Sequence, residues 1–216
     1  MRSDVTLRTG RSQDVLGPLA GPASNLPALL SASEQRRYSR LRTAEGRNDF
    51  LAARVLARRL VADVTGADAD AVALAQSCPV CGSDGHGPPR VLNGDVQVSW
   101  AHSGGEVVAA VSERHRVGVD IELLDRFPVT PTLLTAALPE VEAERVLAAQ
   151  DIRRAFLRLW TTREALVKLG SDLLAMTRAD RQQLAESVGA TDYWAEDRST
   201  SVIGVAVGRA AIRATG

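Results

Sequence analysis

The stretch Val117-Gly-Val-Asp-Ile-Glu122 alternates apolar and polar residues, which is typical of a strand with one buried face. Successive side chains of a strand point to opposite faces, so Val119 and Ile121 are predicted to face a core. Asp120 and Glu122 then share the other face. The stretch therefore predicts a strand that presents two carboxylates to whatever lies against it.

A second stretch, Trp160-Thr-Thr-Arg-Glu164-Ala-Leu-Val-Lys168, has helical spacing. Trp160, Glu164 and Lys168 are four residues apart and stack on one helix face. Gly118 in the strand has no side chain, so another element can approach the backbone closely there. If this helix faces the strand, three carboxylates meet, and such a set suits a hard divalent cation such as Mg²⁺.

Each motif also has a simpler interpretation. An Asp-x-Glu at a strand end is usually a solvated edge, and Glu164 with Lys168 is an ordinary surface pair worth about 0.3–0.5 kcal/mol. Lys168 is, however, the only lysine in the chain. It is a compact point charge that arginine does not replace freely, and it lies in the candidate site.

Composition limits the broad class of protein. The 216 residues suit one domain or two small ones, and the balance of 26 basic and 26 acidic residues predicts no general affinity for nucleic acid or membranes. The sequence contains no signal peptide and no apolar run long enough to span a bilayer, so a cytoplasmic protein is predicted. Between Arg36 and Arg59, eight arginines face two acids, which indicates either a solvated helix face or an anion-binding wall.

Periodicity and turn residues predict the elements of secondary structure. Ser31 with Glu34 fits a capping box that opens a helix, and Gly66 is predicted to end the strongest helix. The predicted helices are 49–65, 140–149, 151–169 and 177–186. The predicted strands are 5–7, 71–75, 96–100, 107–112, 117–122, 193–195, 202–207 and, weakly, 210–213.

Two spacings recur along the chain. Phe50-Leu51 with Leu60-Val61 returns as Phe156-Leu157 with Leu166-Val167, and Trp100-Ala101 before a valine-rich strand returns loosely as Trp194-Ala195. In each half a long helix precedes a strand pair. We infer a duplicated α/β unit, so the fold class is α+β with two similar halves.

Two further segments have alternative interpretations. Cys78-Pro-Val-Cys81, followed by His86, is either half of a zinc ribbon, which lacks an evident fourth ligand, or an ordinary loop inserted in the first copy. The apolar, proline-interrupted segment 123–139 is either core or an exposed patch for a partner. Two cysteines argue against a disulfide scaffold.

Together, the two motifs resemble those of 4′-phosphopantetheinyl transferases of the surfactin-synthetase-activating type, Gly-Val-Asp-x-Glu and Trp-[Thr/Ser]-x-x-Glu-[Ala/Ser]-x-x-Lys. Both are intact, about forty residues apart, and the resemblance extends from about residue 33 to the C-terminus. It implies two α+β halves in a pseudo-twofold arrangement, residues 1–116 and 117–216, each a small antiparallel sheet packed on a long helix. It also implies an active site in the cleft between the halves and a monomer.

The resemblance implies transfer of the phosphopantetheine arm of coenzyme A to a serine of an apo acyl- or peptidyl-carrier protein. The resemblance also implies that adenosine 3′,5′-bisphosphate is released and that the protein serves secondary-metabolite biosynthesis. Asp120, Glu122 and Glu164 would bind Mg²⁺, and Lys168 would neutralise a phosphate oxygen. Glu140 is preferred as the general base, with Glu142 or a metal-bound water as alternatives.

The first half would bind coenzyme A. The resemblance places its 3′-phosphate near His102, in a loop where Ala101 replaces the usual serine, and near Arg54; Arg37 and Arg40 are looser matches. The usual Gly-[Lys/Arg]-Pro before this loop is Gly87-Pro88-Pro89-Arg90 here. The basic residue is displaced from its usual position, which leaves Pro89 as the residue of this motif that is predicted to contact coenzyme A.

Carrier proteins are typically acidic helical bundles, and the segment 123–138 with Arg126, Phe127 and Leu134 is one predicted docking surface for them. Two other functions stay open. A metal-dependent phosphohydrolase would also use three acids. A non-catalytic nucleic-acid- or protein-binding module would use the basic run Arg36–Arg59.

Overall fold

The structure is a computed structural model that describes residues 2–17, 29–78, 81–84, 87–126, 128–170 and 179–209. Its contacts divide the chain into two compact units, residues 2–113 and residues 114–216, which we call the N-terminal and the C-terminal unit. Both combine helices with an antiparallel sheet, so the α+β class is confirmed. No helix among the described residues is long and apolar enough to cross a membrane.

The described residues of the N-terminal unit form a three-stranded sheet, a small two-stranded sheet and three α-helices. Its strands are β1 (Val5–Arg11), β2 (Leu74–Gln76), β3 (Pro89–Val91), β4 (Gln97–Ser103) and β5 (Glu106–Ser112). Its helices are α1 (Ser12–Leu16), α2 (Ala32–Arg40) and α3 (Ala44–Thr65). The larger sheet has the order β1-β5-β4, and β2 pairs with β3. Short 3₁₀ turns lie at Arg2–Asp4 and Ala69–Ala71.

Helix α3 is the centre of this unit's core. Thr43 caps its start, and Gly66 ends it in the left-handed conformation with φ 74°, as the sequence predicts. The capping box of α2 is also confirmed, since Ser31 and Glu34 each accept the other's backbone N–H. Phe50, Leu60 and their neighbours on α3 pack against Val107, Ala109 and Val111 of β5.

The C-terminal unit repeats this plan. Its strands are β6 (Arg116–Leu123), β7 (Ala190–Asp197) and β8 (Ser201–Gly208), and its helices are α4 (Pro131–Ala137), α5 (Glu140–Leu147), α6 (Ile152–Val167) and α7 (Arg181–Ser187). The sheet order β6-β8-β7 matches β1-β5-β4 strand for strand, with both pairings antiparallel. Helix α6 packs on this sheet as α3 packs on the other, so each unit has the predicted helix and hairpin.

The tryptophans of the two copies do not correspond. Trp100 of β4 lies in the helix-facing core, where the Arg54 guanidinium lies over its ring. In β7, Tyr193 and Ala195 belong to the clusters around α6, so Trp194 between them points to the opposite sheet face. The Trp-Ala part of the repeat is therefore a chance similarity of sequence, because the two tryptophans lie on different faces of their sheets. Phe50 and Phe156, in contrast, are both buried on their helices.

The segment after β6 belongs to the core. Leu134 is fully buried, and Leu138 is 4% exposed, in a cluster with Phe156 and Leu157. Pro131 sits in the first turn of α4, capped by Thr130, a helix that the proline-interrupted pattern did not predict. An exposed docking patch that includes Leu134 is therefore wrong; Phe127 lies outside the described residues.

The remaining predictions differ in detail. The strand predicted at 71–75 is a 3₁₀ turn followed by β2, and the helix predicted at 177–186 begins, within the described residues, at Arg181 behind a capping box of Asp180 and Gln183. Cys78 and Cys81 lie at a turn, where the Gly82 N–H donates to the Cys78 carbonyl. His86 and the predicted strand 210–213 lie outside the described residues.

Candidate active site

Two glycines bring α6 into direct contact with the sheet of the C-terminal unit. A Cβ at Gly118 of β6 would lie 2.0 Å from the carbonyl oxygen of Ala165. A Cβ at Gly204 of β8 would lie 2.1 Å from the carbonyl carbon of Thr161. The element that approaches Gly118 is therefore α6, the helix that contains the second motif. This contact places Glu164 and Lys168 of α6 next to the strand.

Asp120 lies two residues after Gly118 on the helix-facing side of β6, opposite Gly204 in the register. The residue is buried, with 8% exposure. Its Oδ1 accepts a hydrogen bond from Lys168, whereas Oδ2 is buried and has no hydrogen-bond partner among the described residues. Burial raises the pKa of the Asp120 carboxyl, and the Lys168 ammonium and the Ile121 N–H offset part of that rise.

Glu164 lies beside Asp120. Burial raises the pKa of the Glu164 carboxyl, and the charge of Asp120 raises it further, while Lys168 lowers it. Glu122, half-buried, follows Asp120 on the same strand face. Within the described ranges no three His, Cys, Asp or Glu side chains form a group that could hold a metal ion as the structure stands. Asp120 and Glu164 are thus the pair that the structure brings together.

Lys168 is the cation of this cluster. Its Nζ donates to Asp120 Oδ1 at 2.8 Å and to the Val119 carbonyl at 2.8 Å. An ammonium has three donors, so within the described part of the chain one remains for a third acceptor. Trp160, two turns earlier on the same helix, stacks on Phe156 with ring centroids 5.8 Å apart.

The two candidate bases have different surroundings. Glu140 is exposed at the first position of α5. Glu142 is buried, and both its oxygens are engaged: Oε2 accepts from Arg163 at 2.6 Å and Oε1 from the Arg181 backbone N–H at 2.8 Å. Glu142 is therefore part of the internal framework, because both its carboxylate oxygens are held by partners within this unit.

The sequence did not indicate that two arginines of this unit, Arg163 and Arg116, have structural roles. Arg163, next to Glu164, has no exposed surface, and burial lowers its pKa while Glu142 opposes that effect. Its position, four residues after Leu159 and three before Leu166, places it on an apolar helix stripe, and this is the signal that could have found it. Arg116 donates to the carbonyls of Leu169, Val188 and Arg209; no motif marks it.

In the N-terminal unit, Arg54 is an interior residue. It is 2% exposed, its Nη1 donates to the Phe50 carbonyl and its Nη2 to Gln76, and its Nε lies 3.2 Å from Glu34. Burial is the main cause that lowers the pKa of Arg54 to about 9. Glu34 also accepts from buried Arg58 at 2.7 Å, so one carboxylate serves two guanidinium groups.

The other residues predicted for coenzyme A have different positions. Arg37 is half-buried and donates to Gln76 Oε1 at 2.6 Å, the oxygen that Arg54 also uses, and burial lowers its pKa. Pro89 lies on β3 opposite Gln76 in the strand register. Arg40 is exposed at the end of α2, and His102 is exposed near the end of β4. Gln76 thus joins Arg37, Arg54 and the Pro89 strand, a role that the sequence did not indicate.

Comparison with known proteins bears on this site. Residues 116–203, which hold Asp120, Glu164 and Lys168, match the model of the 4′-phosphopantetheinyl transferase superfamily. The chain is also 28% identical over 166 residues to the 4′-phosphopantetheinyl transferase HetI of Nostoc sp. (strain PCC 7120 / SAG 25.82 / UTEX 2576), covering 73% of this chain and 68% of that protein. Over most of its C-terminal unit, the chain is similar to the 4′-phosphopantetheinyl transferase superfamily.

Proposed function

We propose that this protein transfers the 4′-phosphopantetheine arm of coenzyme A to a serine of an apo acyl- or peptidyl-carrier protein and releases adenosine 3′,5′-bisphosphate. The observation that carries the proposal is the cluster of Asp120, Glu164 and Lys168 within residues 116–203, the part that matches the transferase superfamily. The similarity to a named 4′-phosphopantetheinyl transferase points to the same reaction.

The charges of the cluster suit a pyrophosphate substrate that arrives with a divalent cation. The carboxylate of buried Asp120 and that of half-buried Glu164 repel each other, and Asp120 Oδ2 has no hydrogen-bond partner among the described residues. Such oxygens are the donors that Mg²⁺ prefers, and Asp120, Glu164 and Glu122 would hold it. When bound, the ion would supply charge neutralisation at the phosphoryl groups.

Lys168 and the packing of α6 position the substrate. The third donor of the ammonium is available to a phosphate oxygen, while the other two fix it to Asp120 and the Val119 carbonyl. Because phosphoryl transfer depends mainly on positioning and charge neutralisation, a lysine held in one place is a useful donor. The contact of α6 with Gly118 keeps Glu164 and Lys168 at the strand.

Glu140 is the side chain we propose as general base for the attacking serine. It is exposed and lies at the start of α5, whereas Glu142 is committed to Arg163 and Arg181. A water bound to the metal stays an alternative. A Glu140→Gln variant that retains full kcat from neutral to alkaline pH would favour the water.

The N-terminal unit would bind the 3′-phosphate of coenzyme A. Arg37, Arg54 and Arg58 concentrate three guanidinium groups around the single carboxylate of Glu34, and each of Arg37 and Arg58 lowers the pKa of Arg54. Such a surplus of positive charge favours an anion. Arg37 is the member we expect to contact phosphate, because Arg54 and Arg58 are buried; His102 and Arg40 would assist from exposed positions.

The test is the intact mass of an apo carrier protein after incubation with this protein, coenzyme A and Mg²⁺. We expect a gain of one phosphopantetheine that is lost with Glu164→Gln, because that change removes one of the two neighbouring carboxylates. Glu113→Gln, at an exposed position of the N-terminal unit, is the matched control and should retain the transfer.

The negative outcomes are distinct. No gain with several classes of carrier, but intact binding of coenzyme A, would point to an unsuitable carrier. No gain and no coenzyme A binding would contradict the proposal. A steep salt dependence of DNA binding in that case would support the alternative function through Arg36–Arg59.

A further inference from the structure

Gln76, the last residue of β2, joins two arginines of the predicted coenzyme A site to the segment before β3. Its Oε1 accepts hydrogen bonds from Arg37 Nη1 at 2.6 Å and from Arg54 Nη2 at 3.2 Å. Its Nε2 donates to the Gly87 carbonyl at 3.1 Å. One half-buried amide therefore connects α2, α3 and the start of segment 87–90.

The orientation of this amide is fixed by its neighbours. A guanidinium group can only donate hydrogen bonds and a backbone carbonyl can only accept them, so the amide oxygen of Gln76 must face the arginines and its nitrogen must face Gly87. The backbone restrains the residue as well, because Gln76 is opposite Pro89 in the strand register. A Cβ at Gly87, where φ is 106°, would lie 2.4 Å from the Ser77 carbonyl oxygen. Gln76 therefore holds the two guanidinium groups from a closely packed backbone.

The cations around Gln76 outnumber the acids. Arg54 and Arg58 both contact the carboxylate of Glu34, at 3.2 Å and 2.7 Å, and Glu34 is also the acid whose charge acts on Arg37. Three guanidinium groups and one carboxylate leave a surplus of two positive charges in this set of residues. The arginines repel one another, since the charges of Arg37 and Arg58 lower the pKa of Arg54. A phosphate monoester carries a charge of about −1.5 to −2 at pH 7, which matches this surplus.

The acceptor that brings Arg37 and Arg54 together is neutral. A glutamate at position 76 would accept the same two hydrogen bonds more strongly, because both partners would then be charged. It would also cancel half of the surplus charge and place an oxygen, instead of a donor, against the Gly87 carbonyl. A neutral amide leaves the charge of the arginines to an incoming anion. In the described part of the chain Arg37 gives one of its five N–H donors to Gln76, which leaves the others for that anion.

We infer that Gln76 is a positioning residue for selectivity between coenzyme A and 3′-dephospho-coenzyme A: its neutral amide holds Arg37 beside Arg54 and leaves their charge to the 3′-phosphate. The inference rests on the proposed function, because it concerns the coenzyme A of that reaction. It goes further by assigning the selectivity to an uncharged residue that acts through Arg37. A charge introduced at position 76 should therefore affect only the substrate that carries the 3′-phosphate.

The experiment is steady-state kinetics of the full chain with an apo carrier protein and Mg²⁺, using coenzyme A and 3′-dephospho-coenzyme A in turn. Gln76→Glu should raise KM for coenzyme A by about tenfold with little change in kcat, because it weakens binding of the 3′-phosphate. KM for 3′-dephospho-coenzyme A and KM for the carrier should stay within about twofold of the wild-type values. The matched control is Gln13→Glu, the same change at an exposed position of the N-terminal unit, and it should behave like wild type.

Two further variants separate charge from position. Gln76→Met has a side chain of similar length with no N–H donor and only a weak acceptor, so the arginines keep their charge but lose their partner. We expect KM for coenzyme A to rise by about threefold in this variant. In an Arg37→Gln background, Gln76→Glu should raise KM for coenzyme A much less than it does in the wild type, because the residue that it positions has been removed. Urea denaturation shows whether each variant is folded.

The outcomes separate this inference from the proposed function. If the wild type transfers nothing from coenzyme A to any carrier, the proposed function fails and the inference fails with it. If the wild type transfers and folded Gln76→Glu raises KM equally for both substrates, Gln76 has a general structural role and only the inference is overturned. Equal KM values of the wild type for the two substrates would also overturn it. If Gln76→Glu does not fold, Gln76→Met takes its place: a rise confined to coenzyme A supports the inference, and an equal rise for both substrates overturns it.

Discussion

The two units share a topology but use the same helix position for opposite charges. Counted from Phe50 and Phe156, the eighth following residue is Arg58 on α3 and Glu164 on α6. Arg58 is buried and paired with Glu34, whereas Glu164 faces another carboxylate, Asp120. One unit therefore pairs its buried arginines with a single internal carboxylate, and the other leaves a negative cluster that a cation from outside can balance.

The two sheets also differ in the size of the residues that face the helices. In the N-terminal unit the helix-facing residues of the central strand are Val107, Ala109 and Val111. In the C-terminal unit they include Gly204, and the neighbouring strand adds Gly118, so α6 touches the strand backbones. One fold therefore supports a packed interior or a close polar contact, depending on the size of the residues at two strand positions.

The largest effect should come from removing the buried carboxylate of the N-terminal unit. Glu34→Gln leaves Arg54 and Arg58 buried without a carboxylate, so we expect the free energy of unfolding to fall by about 3–5 kcal/mol. Urea denaturation would measure the change. Glu113→Gln, at an exposed position, is the control, and equal stability of the two variants would show that the arginines need no counter-charge.

Gly118→Ala should be the next largest change. A Cβ there meets the backbone carbonyl of Ala165, which cannot rotate away, so α6 must shift at a cost of about 2–3 kcal/mol. The shift also separates Lys168 from Asp120, so Mn²⁺ affinity, measured by calorimetry, should fall as well. Gly17→Ala, with nothing within 4 Å of its Cβ, should leave the melting temperature and Mn²⁺ affinity nearly unchanged.

The carboxylate pair predicts a pH dependence in cation-free protein. Folding raises the pKa of Asp120 above 3.8 and that of Glu164 above 4.5, so the folded state binds more protons than the unfolded state between those values and the raised ones. Stability should therefore fall as pH rises through that window, and the loss persists above it.

Asp120→Asn removes one carboxylate and also the negative charge that raises the pKa of Glu164. The stability of this variant should therefore depend less on pH within that window. Thermal unfolding with EDTA from about pH 4 to pH 7.5 would measure the difference. Added Mg²⁺ should restore stability at neutral pH in the wild type and much less in the variant. Asp125→Asn, at an exposed position, is the control; parallel profiles for both variants would contradict the pairing of Asp120 with Glu164.

Local patterns predicted the main helices and sheets, because apolar spacing, the Ser31 box and Gly66 act over a few residues. They also predicted that Asp120, Glu164 and Lys168 meet, since two motifs with fixed faces constrain each other. They did not predict that Arg54 and Arg163 are buried. An arginine on an apolar stripe is internal only if a distant acid, here Glu34 or Glu142, reaches it in the folded chain.

The same limit explains the misplaced docking surface. The leucines of 123–138 and those of a protein-binding patch have the same composition, and only the packing of α4 against Phe156 shows that Leu134 is core. The tryptophan repeat failed for a related reason, because a shift of one residue on a strand moves a side chain to the other face.

The smallest expected effect is on an exposed ion pair of the C-terminal unit. Arg158 and Asp197 are 2.7 Å apart, but their side chains are 51% and 35% exposed, so water and salt screen the pair. Arg158→Ala should lower the free energy of unfolding by about 0.5 kcal/mol, less again in high salt. Glu142→Gln, which strands buried Arg163, should cost several times more, because burial rather than the short distance determines how much a pair contributes. Urea denaturation of both variants at low and high salt tests this, and a loss for Arg158→Ala as large as that for Glu142→Gln would refute it.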